Sequence, residues 1–174
     1  MAPAEAIASI TNLVNLYAVA VDTQRWDLFD QVFTPDVAAD FGGPAAWQGL
    51  APLKQAFAAI HAPFRATMHV TTNHHVAASG ERATCLSYVH GRFFRDVVEG
   101  GDMFESGGWY DDELVLTAAG WRISRRACRT AWWGGNPLVL QTSPEVNVDP
   151  ALHSLRAEAA GGRLGHLRAL PGPA

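Results

Sequence analysis

Apolar positions in the first 61 residues recur with a helical period. Ile7, Ile10, Val14, Tyr17 and Val21 fall three or four residues apart, and Leu13 and Leu16 widen the stripe, so residues 4–22 are predicted as a helix. A second, short helix is expected from Asp22 or Thr23, with Thr23 as its N-cap and Trp26, Phe29 and Phe33 on one face. Thr34-Pro35-Asp36 should stop it, and residues 37–41 read as a short strand. Gly42-Gly43-Pro44 breaks the chain, and Leu53, Phe57 and Ile60 mark a third helix over 50–61. Beyond this point the pattern changes. Segments 67–78, 82–98, 103–117 and 121–132 are rich in β-branched and aromatic residues. Ser79-Gly80-Glu81, Glu99-Gly100-Gly101-Asp102 and Ala118-Ala119-Gly120 separate them as tight turns, which implies a largely antiparallel sheet.

Helices followed by a meander predict an α+β fold, with the three helices on one face of the sheet. Strands this long twist and curl, and a curled sheet closed by helices forms a cone around an internal pocket. Residues 1–135 are expected to form this domain. Residues 136–174 contain Pro137, Pro144, Pro150, Gly161-Gly162 and Pro171. They are expected to pack on its surface as an extension, with a short helix near 151–159 and a frayed end.

Composition narrows the chemistry. Charged residues make up 17% of the chain and the net charge is −4, with no basic run, which argues against nucleic acid. Arg122, Arg125, Arg126 and Arg129 lie on one predicted strand and so divide between two faces. The two cysteines, Cys85 and Cys128, sit in separate apolar strands and read as reduced core thiols, not a zinc or disulfide pair. No basic leader precedes an apolar block, and no stretch reads as a membrane span. A cytoplasmic protein is expected.

No Gly-rich phosphate loop follows a strand, and no G-x-S-x-G elbow occurs. What is left is acid–base chemistry without a cofactor. Asp22 ends an apolar helix, either solvated, as cap of the next helix, or aimed into the cavity. Three of the seven histidines fall in His69-Val70-Thr71-Thr72-Asn73-His74-His75. His74 and His75 should point to opposite faces, while strict alternation puts His69 and His75 on one face, as it does Thr71 and Asn73. No metal is expected. His69 reads either as a core histidine or as half of a carboxylate–imidazole base. Tyr88 and His90 share a face of the next strand, and Tyr17 stands about one turn before Asp22. Tyrosine hydroxyls in a pocket can stabilise an oxyanion, and the abundant tryptophans, Trp47 and Trp109 among them, could line a site for a flat hydrophobic ligand.

The run Tyr17-x4-Asp22-x3-Trp26-Asp27-x5-Phe33-Thr34-Pro35-Asp36-Val37 resembles the opening of SnoaL-like domains in the nuclear transport factor 2-like superfamily. Gly108-Trp109-Tyr110-Asp111-Asp112-Glu113-Leu114 and Gly120-Trp121-Arg122-Ile123-x2-Arg126 resemble its last two strands, so that the likeness covers roughly residues 5–133. The chain is most similar to the branch with bile acid 7α-dehydratase, hexachlorocyclohexane dehydrochlorinase and scytalone dehydratase. That resemblance implies an Asp22–His69 dyad, a pocket tyrosine at Tyr17, an active-site arginine at Arg126 and a second histidine near His90. Strict alternation from Trp121 and Ile123 conflicts with it, for it turns Arg125 inward and Arg126 away unless a bulge intervenes.

The function expected is a cofactor-independent lyase, a dehydratase or similar elimination enzyme of secondary metabolism. His69, Asp22, Tyr17, His90 and Arg126 would be its catalytic residues, and Tyr88, Trp47, Trp109 and Asn73 would line its pocket. The substrate would be small and hydrophobic, cyclic or polyketide- or steroid-like. An isomerase or polyketide-type cyclase could use the same dyad, and a ligand-binding or subunit-type module would not need it. Neither nucleic acid nor membrane is an expected partner. A homo-oligomer is expected, a trimer by resemblance or else a dimer, because adjacent aromatics such as Phe93-Phe94 and Trp132-Trp133 put apolar surface on both faces of the sheet.

Overall fold

The computed structural model describes residues 3–96, 99–142 and 151–170. Helix α1 (Pro3–Asp22) leads through a 3-10 turn (Trp26–Leu28) into the one-turn α2 (Phe29–Val32). Strands β1 (Phe33–Asp40) and β2 (Ala46–Gln48) precede α3 (Leu50–His61). The long strands β3 (Ala66–Ser79), β4 (Arg82–Phe94), β5 (Met103–Thr117) and β6 (Gly120–Gly135) follow, then a 3-10 turn (Pro137–Leu140) and the short helices α4 (Leu155–Ala160) and α5 (Gly165–Ala169). The curved, unclosed sheet has the order β2-β1-β6-β5-β4-β3. Its pairs are antiparallel except β1 with β6, between which the chain runs through four strands.

Helices α1 to α3 lie on the concave side. Ile10, Val14, Tyr17 and Val21 of α1, with Phe29, Phe33, Leu53 and Phe57, form the main core against Cys85, Tyr110, Leu114 and Ile123 of the sheet. The predicted helical stripe therefore buries as expected, apart from Ile7 (47% exposed) and Ile60 (36%) at its margins. Eight residues of α1 are buried in this way. Contrary to the expectation of no such stretch, α1 is long and apolar enough to cross a membrane by length and composition. A buried core helix meets the same criterion, and its packing is of that kind.

Local chemistry departs from the sequence pattern in several places. Thr23 does not cap the second helix: its hydroxyl donates to the Val19 carbonyl at 2.6 Å and so finishes α1, and the next helix starts at Trp26 without a side-chain cap. Strand β1 begins at Phe33, so Thr34-Pro35-Asp36 lies inside it. The β1–β6 register slips between Phe33 and Ala38, where Pro35 has no N–H to give the ladder. Strand β4 ends at Phe94, and positions 97 and 98 of the expected strand, like Pro144, Pro150 and Pro171, lie outside the described residues.

Three one-residue bulges set which side chains meet the cavity. On β6, Arg125 pairs with Glu113 and Ile123 with Leu114, leaving Ser124 extra. On β6 again, Thr130 pairs with Gly108 and Trp132 with Gly107, leaving Ala131 extra. Gly108 is obligatory there, since a Cβ would stand 1.8 Å from the Arg129 carbonyl oxygen. On β3, Thr72 pairs with Tyr88 and His75 with Leu86, and Asn73 takes a left-handed φ of 52° inside this step.

The C-terminal segment covers part of the convex side. Leu152 bridges to Thr130, and the Asp111 carboxylate accepts from the backbone N–H groups of Gly165 (2.6 Å) and His166 (2.9 Å). The helix expected near 151–159 is α4, and α5 was not foreseen.

Candidate active site

A cavity of about 200 Å³ opens between the helices and the concave face of the sheet. Its wall is mostly apolar, with Val21, Trp47, Phe57, Val89 and Phe93 prominent, and His69 and His61 are among its polar members.

Asp22 closes α1, at the negative end of the helix, where a carboxylate is poorly placed unless donors surround it. Here it has three. The Nδ1–H of His69 donates to Oδ1 at 2.6 Å, the backbone N–H of His69 to Oδ2 at 2.7 Å, and the Thr67 hydroxyl to Oδ1 at 2.9 Å. Burial raises the carboxyl's pKa, but these bonds together outweigh it and hold Asp22 below its ordinary value. A carboxylate only accepts, so the His69 proton sits on Nδ1 and the Nε2 lone pair is left available. The ring lies across Gly91 on β4, where an added Cβ would stand 3.2 Å from Nε2. Its side chain is 8% exposed, and that of Asp22 is 23% exposed.

Tyr17 lines the same cavity. Behind its ring lies Arg126, with the guanidinium carbon 4.2 Å from the centroid of Tyr17 and 4.1 Å from that of Tyr110. Two bonds of 2.8 and 2.7 Å join Arg126 to Asp112, both side chains fully buried. Burial opposes the Arg126 charge, but the Asp112 charge and hydrogen bonds outweigh it and the guanidinium stays protonated. Burial also pushes the Tyr17 hydroxyl well above the ordinary phenol range, so it remains a donor. The Ser124 bulge thus resolves the conflict over the last strand, turning Arg126 inward and Arg125 outward to Glu113.

His69, Tyr17 and Trp47 therefore come together at the cavity, with Asp22 held behind His69 and Arg126 behind Tyr17. The other expected residues do not join them. His90 faces the convex side and meets Glu105 at 3.0 Å, because β4 turns Val89 and Gly91 inward and His90 outward. Tyr88 shares that outer face and is 42% exposed. Trp109 is buried, but on the outer side beneath the C-terminal segment, since unbroken alternation along β5 turns Tyr110 and Leu114 inward and Trp109 outward. Asn73 is exposed at its left-handed kink. That same step turns His75 outward to His166 (2.7 Å), so His69 and His75 do not share a face. Among the described residues no three His, Cys, Asp or Glu side chains converge as metal ligands.

Tyr110 and His61 are cavity residues that the sequence pattern did not single out. Tyr110 lies on the same alternating face of β5 as Phe104 and Leu114, a signal that could have found it. His61 follows Phe57 by one helical turn, a spacing that could have marked it.

The fold and this constellation define a class. The SnoaL-like domain profile matches residues 2–127, and the chain belongs to that family. An uncharacterised protein of Mycobacterium tuberculosis strain H37Rv is 34% identical over 121 residues, covering 67% of this chain and 80% of that one. A solved protein from Kribbella flavida superposes with a TM-score of 0.72 at 29% identity, covering 77% of this chain and 95% of that one. A type 2 hexachlorocyclohexane dehydrochlorinase superposes with a TM-score of 0.66 at 16% identity, covering 74% and 87% of the two chains, a likeness of fold.

Proposed function

We propose that the chain is a cofactor-independent lyase in which His69, oriented by Asp22, is the general base. The observation that carries this reading is the 2.6 Å contact from Nδ1 to the carboxylate at the wall of an apolar cavity. Nε2 takes a proton from a carbon acidified by a neighbouring group. The C–H electron pair forms the double bond as the leaving group departs with its own pair. The imidazolium, stabilised by Asp22, then returns its proton to the leaving hydroxide, or to solvent if a halide leaves. The Tyr17 hydroxyl is the donor for charge developing on a substrate oxygen. Arg126 is a positioning residue, fixing the Tyr17 and Tyr110 rings from behind. The same first step opens an isomerisation or a cyclisation. Relatives of the fold that include a dehydrochlorinase support elimination.

A cavity of about 200 Å³ is little larger than the roughly 150 Å³ void that holds benzene in an engineered core. It suits one substituted ring or a fused pair. The reading is tested by proton abstraction itself. Cyclic ketones with and without a β-leaving group are incubated in D2O and followed by NMR. The expected result is deuterium uptake at the α-carbon, with alkene formed only from substrates that carry the leaving group, and both lost in His69→Ala. Exchange that persists unchanged in that variant would remove the dyad from the chemistry.

A further inference from the structure

The cavity holds a second imidazole with a different environment. His61 ends α3, lines the same cavity as His69 and is 6% exposed. Its Nδ1 lies 2.9 Å from the Phe57 carbonyl oxygen one turn earlier. A carbonyl only accepts, so Nδ1 carries the hydrogen and Nε2 the lone pair. Among the described residues the ring's hydrogen bond is the one at Nδ1.

The ring is held on several sides. It stacks on Phe57 at 5.2 Å and 17°, with Trp26 at 5.4 Å and Phe64 at 5.7 Å. Gln24, at a left-handed φ of 52°, donates from Nε2 to the His61 carbonyl at 3.1 Å. A non-glycine residue seldom takes that conformation. Here it ties the corner after α1 to the end of α3, so His61 and the dyad share one rigid frame. The titratable groups facing His61 are His69 and Asp22. Burial pushes the ring down to about 4, with the Phe57 bond and Asp22 opposing and His69 adding, so it is neutral at ordinary pH. Two imidazoles, one tied to a carboxylate and one in an aromatic wall, are thereby set apart for different roles.

We propose that His61 is a specificity-determining residue, accepting at Nε2 a hydrogen bond from a hydroxyl group of the ligand. The ligand class is then a hydroxylated compound of one or two rings. This rests on the cavity being the substrate site, but not on the chemistry of the dyad, because it is read by binding alone.

The test is calorimetric titration of phenol and of anisole, in which a methoxy group replaces the hydroxyl, into the full chain. The wild type is expected to bind phenol roughly five-fold more tightly, the worth of one ordinary hydrogen bond. His61→Phe should bring the two affinities together. His61→Gln should keep the preference, because its Oε1 falls near the place of Nε2, and His69→Phe should keep it too. The preference should persist down to about pH 5.5, above the point near 4 where the His61 ring gains its proton. If His61→Phe fails to fold, His61→Asn replaces it, since it lacks an acceptor at the Nε2 position. No phenol preference in the wild type would overturn the proposal, as would one retained by His61→Phe or abolished by His69→Phe. Failure of the dyad reading would instead show as exchange indifferent to His69→Ala with the phenol preference intact.

Discussion

Asp22→Asn offers the sharpest test of the dyad, because the three bonds to the carboxylate cannot all survive an amide. If the amide oxygen stays toward the His69 ring and Thr67, its NH2 group faces the His69 backbone N–H, donor against donor. A polar group left unsatisfied in this way costs about 1–3 kcal/mol of stability. If the amide turns over, its oxygen accepts from the backbone but its NH2 faces Nδ1. Nδ1 must then become the acceptor, the ring proton moves to Nε2, and an N–H instead of a lone pair meets the substrate. Either outcome also removes the negative charge that steadies the imidazolium. A loss of about two to four orders of magnitude in turnover is expected. Nitrogen-15 NMR of the imidazole reads the tautomer directly and needs no substrate. The variant should show either a shifted tautomer or a lowered urea midpoint. A ring still protonated on Nδ1, with unchanged stability and turnover within a few-fold, would refute the reasoning.

Three further outcomes follow from the same geometry. The folded-state pKa of Asp22 is depressed, so its contribution to stability is present above the unfolded value of about 3.9 and is lost as pH falls through the lower folded value; Asp22→Asn should flatten that part of a chemical-denaturation pH series, and an unchanged slope would argue against the depressed carboxyl. Asp112→Leu leaves the Arg126 charge buried without a counter-ion and should cost about 3–5 kcal/mol by urea unfolding, whereas adding Arg126→Met should recover much of it; two additive losses would contradict the pairing. Met68, Val70, Tyr88 and Trp132 are each 42–49% exposed on the convex face, and we propose that a second copy covers them; light scattering should give a mass above the 18.7 kDa of one chain, and a monomer at micromolar concentration would count against it.

What the sequence made legible was periodic. The α1 stripe, the α3 stripe and the three hairpin turns are carried by local spacing, and the elements fall within a few residues of expectation. Asp22 and His69 were legible because a lone carboxylate ends an apolar helix and the family resemblance names its partner. Alternation failed wherever the ladder gained a residue. His75 was grouped with His69 because no local signal announces the extra residue of β3, and Asn73 shows its left-handed φ only in the folded chain. Trp109 was expected inside and faces out, and Tyr110 was overlooked, although unbroken alternation along β5 with Leu114 inward gives both faces. Tyr88 and His90 were rightly paired with each other but set on the wrong face, since alternation groups residues without saying which group faces inward.

The two bulges of β6 also divide that strand into three stretches that alternate between two phases. Residues before Ser124 and those after Ala131 share one phase, and the stretch 125–130 between them has the opposite one. Removing Ser124 alone would not shift the strand as a whole. It would take out the extra residue and leave Arg126 inward and Arg125 outward, with Trp121 and Ile123 in place. The inner face is therefore indifferent to that deletion, whereas gapless comparison of this chain with a relative lacking both bulges would match cavity wall to outer surface over residues 125–130 alone.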